Sequence, residues 1–141
     1  MISEYEVLGK LFLAILFGGL VGLQRELDDQ YAGLRTHMLV CAGSTLFTLL
    51  SLGFPDSDPS RVAAGIVTGI GFLGAGAIFK EKDKVVGLTT AADLWVIAAI
   101  GMAVGMGYYL VAAFSTALIL VVLILKKIFF PNKKTGKILH V

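Results

Sequence analysis

The sequence predicts an all-α integral membrane protein: five transmembrane helices, the N-terminus outside and the C-terminus cytoplasmic. Three observations lead there. Hydrophobic residues make up 57% of the 141-residue chain and charged residues 16%, whereas about a quarter of a soluble domain is charged. The apolar residues run in blocks close to the ~20 residues that cross a bilayer, separated by short charged stretches. Lysine and arginine then divide unevenly, as the excess of cations in cytoplasmic loops requires. With five spans, the inner side carries Arg25, Arg35, Lys80, Lys82, Lys84, Lys126, Lys127, Lys133, Lys134 and Lys137. The outer side keeps Arg61, and Lys10 sits close enough to the end of the first span to snorkel outward.

The expected spans run about Val7–Leu23, Thr36–Phe54, Val62–Phe79, Leu88–Gly105 and Tyr108–Leu125. They form one membrane domain over residues 1–127, with a short basic tail at 128–141. Glu4 and Glu6 stand where a signal peptide would be positive, so the first block is expected to remain as a helix. That span ends in Gly18-Gly19-Leu-Val-Gly22, a surface for close helix approach. Asp28 to Gly33 has the Asp and Gly of a turn. In the second span Cys41, Ser44, Thr45, Thr48 and Ser51 recur at helical steps and share one face, the face expected to meet other helices. Pro59 suits a helix start. Residues 80–87 alternate in charge and read as a solvated cytoplasmic connection. Gly105-Met-Gly107 is a tight turn that makes the fourth and fifth spans antiparallel neighbours. The fifth span has only Ser115 and Thr116 as polar residues and is expected to face lipid. Its basic tail suits anionic head groups as well as ordinary topology anchoring.

The third span stands out. Glycine occupies positions 65, 69, 71, 74 and 76, with Gly65 and Gly69 forming a GxxxG step. Small residues let helix backbones approach closely, which places this span at the centre of a bundle. The density over Gly69–Gly76 also allows the helix to bend or unwind and line a ligand or ion site.

Asp93 is the unusual polar residue, about 7–8 Å along the axis from Leu88 at 1.5 Å per residue. An acid at that depth calls for a partner or a function. Thr89 and Thr90 precede it by about one turn, and the topology brings Gln24, Arg25, Glu26, Arg35, Thr36 and His37 to the same cytoplasmic level. The prediction is one polar cluster roofed by the third span's Gly71, Gly74 and Gly76. In one reading Asp93 pairs with Arg35 or Arg25 and locks helix ends together. In the other it belongs to a small site for a cation, a proton or an acidic partner group. Asp93 and Glu26 are the candidate oxygen ligands for Mg²⁺, which binds one or two carboxylates and keeps several waters. His37 and Cys41 lie four apart, but two ligands do not make a zinc site, and an interfacial histidine beside a packed cysteine is the reading favoured here.

Several classes are excluded. No nucleophile–base pair, phosphate loop or paired acid is present, so no enzyme activity and no cofactor are expected. No basic stripe with interleaved aromatics suggests nucleic acid. The single cysteine, Cys41, rules out an internal disulfide.

Four motifs in order carry a resemblance. Gly22-Leu-Gln-Arg-Glu26, Ala32-Gly-Leu-Arg-Thr-His37, Gly69-Ile-Gly-Phe-Leu-Gly-Ala-Gly76 and Gly87-Leu-Thr-Thr-Ala-Ala-Asp-Leu-Trp95 make the chain similar to the MgtC/SapB family of bacterial inner-membrane proteins. The resemblance covers about Val7 to Leu125 and implies five helices and a cytoplasmic C-terminus. It further implies a link to survival in low magnesium and inside host macrophages. The expected activity is regulation of other membrane proteins in magnesium or phosphate homeostasis. By position, the implicated residues are Gln24, Arg25, Glu26, Arg35, Thr36, His37, Gly71, Gly74, Gly76, Thr89 and Thr90. Much of the family has a small neutral residue in place of Asp93, glutamate in place of Gln24 and glutamine in place of Gly65. Many virulence-associated members add a cytosolic domain, whereas about 16 residues follow Leu125 here, too few for a domain.

The expectation is therefore a non-enzymatic regulator in the bacterial inner membrane, with lipid and membrane proteins as partners. The glycine faces point to a homodimer. The alternative is a Mg²⁺ or proton transporter or channel formed by a homo-oligomer.

Overall fold

The computed structural model describes residues 3–54, 58–82 and 84–129. Among the described residues five helices follow one another: α1 (Glu4–Leu27), α2 (Leu34–Leu52), α3 (Pro59–Gly76), α4 (Leu88–Gly105) and α5 (Tyr109–Phe129). Two short strands, β1 (Phe79–Glu81) and β2 (Lys84–Val86), lie between α3 and α4. Among the described residues α1 and α4 are long and apolar enough to cross a membrane, and Tyr109–Leu125 is a shorter apolar stretch.

Local signals explain the ends. Ser3 caps α1 by accepting from the Glu6 amide at 3.2 Å, and Asp58 caps α3 by accepting from the Ser60 amide at 3.0 Å, with Pro59 in the first turn. Glu26 reaches across from α1 to accept from the Leu34 amide at 2.8 Å, supplying the N-terminus of α2 with an acceptor that Gly33 lacks. At the end of α4, Gly107 takes φ 85° and the Tyr108 amide bonds back to the Ala103 carbonyl at 2.8 Å. A left-handed glycine with such a bond closes a helix and turns the chain directly into α5.

The connection at 80–87 is ordered further than its charge pattern suggests. Phe79 pairs with Val86 and Glu81 with Lys84 in an antiparallel hairpin, and the Phe79 ring packs at a tilt against Tyr31 with centroids 5.0 Å apart. Accordingly α3 ends at Gly76, and Phe79, assigned by sequence to the third span, is a strand residue. The expected tail at 128–141 lies mostly outside the described residues, as do positions 55–57 of the outer loop.

The centre of the bundle is α4, not α3. α4 touches each of the other four helices, and α2 lies between α1 and α4. Glycine decides this, at the close-approach surface expected on α1 and at a second one on α4 in place of that expected on α3. A Cβ on Gly18 would stand 2.6 Å from the His37 carbonyl oxygen, and one on Gly22 would stand 2.8 Å from Leu34 Cα. On the other side a Cβ on Gly105 would stand 2.8 Å from Thr48 Cβ, and one on Gly101 would strike the Cys41 carbonyl. Two GxxxG steps thus let α1 and α4 close on α2 from both sides. The stripe Cys41, Ser44, Thr45, Thr48 and Ser51 is buried along this seam, and Thr45 donates to the Gly101 carbonyl at 2.7 Å.

α3 is peripheral by comparison. Its buried residues are Ile70 and Gly74, and Gly74 packs on Ala91 of α4. A Cβ on Gly65, Gly69, Gly71 or Gly76 would meet nothing within 4 Å. These four glycines do not pack helices together within one chain. The helix is continuous across them, without a bend into loop. Gly65 and Gly69 do line a groove of about 530 Å³ between α2 and α3, with Leu39, Phe47 and Leu73 on its walls.

Candidate functional site

Three helices bring one ionisable residue each to a single buried point. α1 supplies Arg25 from its last turn, α2 supplies His37 from its first, and α4 supplies Asp93. Arg25 Nε stands 2.7 Å from Asp93 Oδ2, and His37 Nε2 stands 3.3 Å from Asp93 Oδ1. The Arg25–Asp93 contact lies off the hydrogen-bond line, so charge attraction holds it. Relative exposure is 4% for Arg25, 0% for His37 and 5% for Asp93. Burial costs several kcal/mol per ion unless hydrogen bonds and opposite charge offset it. The offset is built in. Arg25 Nη2 donates to Thr90 Oγ1 at 2.8 Å and to Gln30 Oε1 at 3.1 Å, and Gln30 is held in turn by the Asp28 carbonyl at 2.7 Å. His37 Nδ1 lies 2.9 Å from the carbonyl of Gly33, one helical turn back.

Of the two arginines that sequence offered as partners for Asp93, the structure selects Arg25. Arg35 is exposed and does not contact Asp93, and Thr36 is half-buried with no part in the pair. The physical reason is helix phase: Leu34 faces Gly22 and His37 faces inward, which turns Arg35 toward solvent. Thr89 is likewise exposed while its neighbour Thr90 is buried. Gln24 sits beside the cluster, donating to Asp28 Oδ2 at 2.5 Å, and its Oε1 is buried with no hydrogen-bond partner among the described residues. Gly74 approaches α4 at Ala91, two positions before Asp93, whereas Gly71 and Gly76 roof nothing.

Glu26 and Asp93 do not combine as a magnesium site. Glu26 is exposed and spent on the Leu34 amide, and both oxygens of Asp93 face nitrogen groups. Among the described residues no group of three or more His, Cys, Asp or Glu side chains could hold a metal ion. A hard divalent cation needs oxygen ligands around it, and these two carboxylates do not provide them together. His37 and Cys41 are both buried packing residues, each against a glycine of α1.

Sequence reasoning missed Gln30 and the Gly33 carbonyl, which complete the shells of Arg25 and His37. It also passed over Gly101 and Gly105, although their GxxxG spacing was legible. Lys10 was expected to snorkel outward. Instead it is buried, donating to the Gly105 carbonyl at 3.2 Å and pairing with Glu6 at 3.1 Å. The open carbonyls at the end of α4 attract a cation.

A small bundle of apolar helices, two of them long enough to cross a bilayer, fits the class of helical membrane proteins. The profile of the MgtC family matches residues 11–130, and the chain belongs to that family. It is 46% identical over 132 residues to the Escherichia coli K12 protein described as "Putative magnesium transporter YhiD", covering 87% of this chain and 60% of that one. It is 52% identical over 110 residues to "Protein MgtC" of Brucella abortus, covering 77% of this chain and 46% of the relative. To "Protein MgtC" of Salmonella typhimurium it is 46% identical over 110 residues, covering 78% and 48%. The chain thus spans between about half and three-fifths of the length of these relatives. No solved structure matches.

Proposed function

We propose that this chain is a non-enzymatic regulator in the bacterial inner membrane that serves magnesium homeostasis by acting on membrane protein partners. The names of its relatives support the magnesium connection. In this reading all five helices cross the bilayer, with the N-terminus outside and the C-terminus in the cytoplasm, as the lysine and arginine distribution favours. Adaptation to low Mg²⁺ and a link to phosphate status are part of the same proposal.

One observation carries the choice of regulator over carrier. The buried acid has one oxygen beside Arg25 and the other beside His37, so the cluster acts as a lock between helix ends and offers a passing cation no free carboxylate. The four unpacked glycines of α3 leave a face for a second copy, and a homodimer belongs to the proposal.

The competing reading is a Mg²⁺ or proton transporter formed by a homo-oligomer, and the name given to the Escherichia coli relative favours it. Reconstitution of the purified protein alone in liposomes separates the two. We expect no Mg²⁺ or proton flux from the wild type or from Asp93→Asn, together with a membrane partner recovered by cross-linking in cells. Flux in the wild type that Asp93→Asn abolishes would replace regulation by transport.

A further inference from the structure

The His37–Asp93 contact has a chemical requirement that the ion pair with Arg25 does not meet. His37 Nδ1 lies 2.9 Å from the Gly33 carbonyl oxygen. A carbonyl oxygen only accepts, so Nδ1 must carry a hydrogen. In a neutral imidazole the other nitrogen is then a bare acceptor. That nitrogen, Nε2, faces Asp93 Oδ1 at 3.3 Å, and an ionised carboxylate also only accepts. Two lone pairs would confront each other at a fully buried His37. The opposite tautomer moves the conflict to Gly33 without removing it. Both contacts are satisfied together only when a further proton occupies the pair.

Two places could hold that proton. On Asp93 Oδ1 it would neutralise the acid, leaving the Arg25 guanidinium, 2.7 Å from Oδ2, as a buried cation without a counter-charge. On His37 Nε2 it keeps the carboxylate ionised between two cations, and every polar hydrogen of the ring finds an acceptor. We infer that His37, Asp93 and the Gly33 carbonyl form a buried proton-binding site, in which an imidazolium donates through Nδ1 to Gly33 and through Nε2 to Asp93. The charged groups facing it are Arg25 from α1 and Asp93 from α4, and the cluster of three residues carries one net positive charge.

The site does more than balance charge. His37 belongs to α2, which α1 and α4 clasp through glycine, so the proton joins α2 to α4 at the end of the seam opposite Lys10. Release of the proton would set Nε2 and Oδ1 against each other and loosen that joint. The site goes beyond the regulatory reading and holds whether or not the protein carries ions.

The test uses ¹⁵N chemical shifts of the histidine ring in the full chain, in phospholipid bilayers at neutral pH. The chain has two histidines, His37 and His140, so a His140→Gln background leaves His37 as the single reporter. We expect both ring nitrogens at the protonated position. In Asp93→Asn the side-chain amide can donate to Nε2, and one nitrogen should move to the unprotonated position. A neutral ring in the parent protein, in either tautomer, overturns the inference, and so does a ring that stays doubly protonated in a folded Asp93→Asn variant. Should Asp93→Asn fail to fold, the parent spectrum alone decides.

Discussion

Arg25 and Asp93 are 68 positions apart in sequence and 2.7 Å apart in space, with both side chains nearly sealed from solvent. Such a pair is costly to break and less costly to replace as a whole, because removing one partner strands the other charge. Arg25→Met should therefore destabilise the fold by about 3–5 kcal/mol. The double variant Arg25→Met/Asp93→Leu should recover most of that loss. Equilibrium unfolding in mixed micelles measures both, and additive losses would show that the two side chains are not coupled.

The glycines divide into two kinds with opposite expected responses. Gly101→Ala drives a methyl group into the Cys41 carbonyl, and prying α4 from α2 should cost about 1–3 kcal/mol. Gly69→Ala meets nothing within 4 Å and gains helix propensity, so it should be neutral or stabilising by up to about 1 kcal/mol. The same unfolding assay checks the contrast. If Gly69→Leu folds normally yet loses cross-linked dimer, the α3 face is the site of self-association.

Gly87 starts α4 at φ 86°, and a Cβ there would strike the Ala77 carbonyl. A side chain in left-handed backbone costs about 1–2 kcal/mol before any clash is counted. Gly87→Ala should uncouple the hairpin from α4, seen as faster amide exchange at Val86 and Ala91 while α1 and α2 stay protected.

Asp58 gives the chain a modest acid dependence at the start of α3. Hydrogen bonds from Ser60 hold its carboxyl below the ordinary carboxylate value. A depressed folded value means the cap is fully present above the ordinary value and is lost as pH falls through the lowered one. The Ser60 and Arg61 amides should exchange faster below that point. Asp58→Asn, which caps without ionising, should remove the dependence while keeping α3 intact.

By itself the sequence determined that the chain is helical and apolar, roughly where each helix runs, and that an acid at Asp93 called for a partner or a function, with Arg25 and Arg35 as the arginines within reach. These follow from local chemistry: block length, glycine and proline punctuation, and the cost of burying a lone charge. Tertiary structure alone decided which arginine answers it, because the rotation of α2 fixes whether Arg35 or His37 points inward, and one residue of offset turns a side chain by about 100° at 3.6 residues per turn. It also decided which glycines matter. Close approach is a property of two surfaces at once, and only the packed bundle shows that Gly101 and Gly105 meet backbone as the expected Gly18 and Gly22 do, while Gly65, Gly69, Gly71 and Gly76 meet open space.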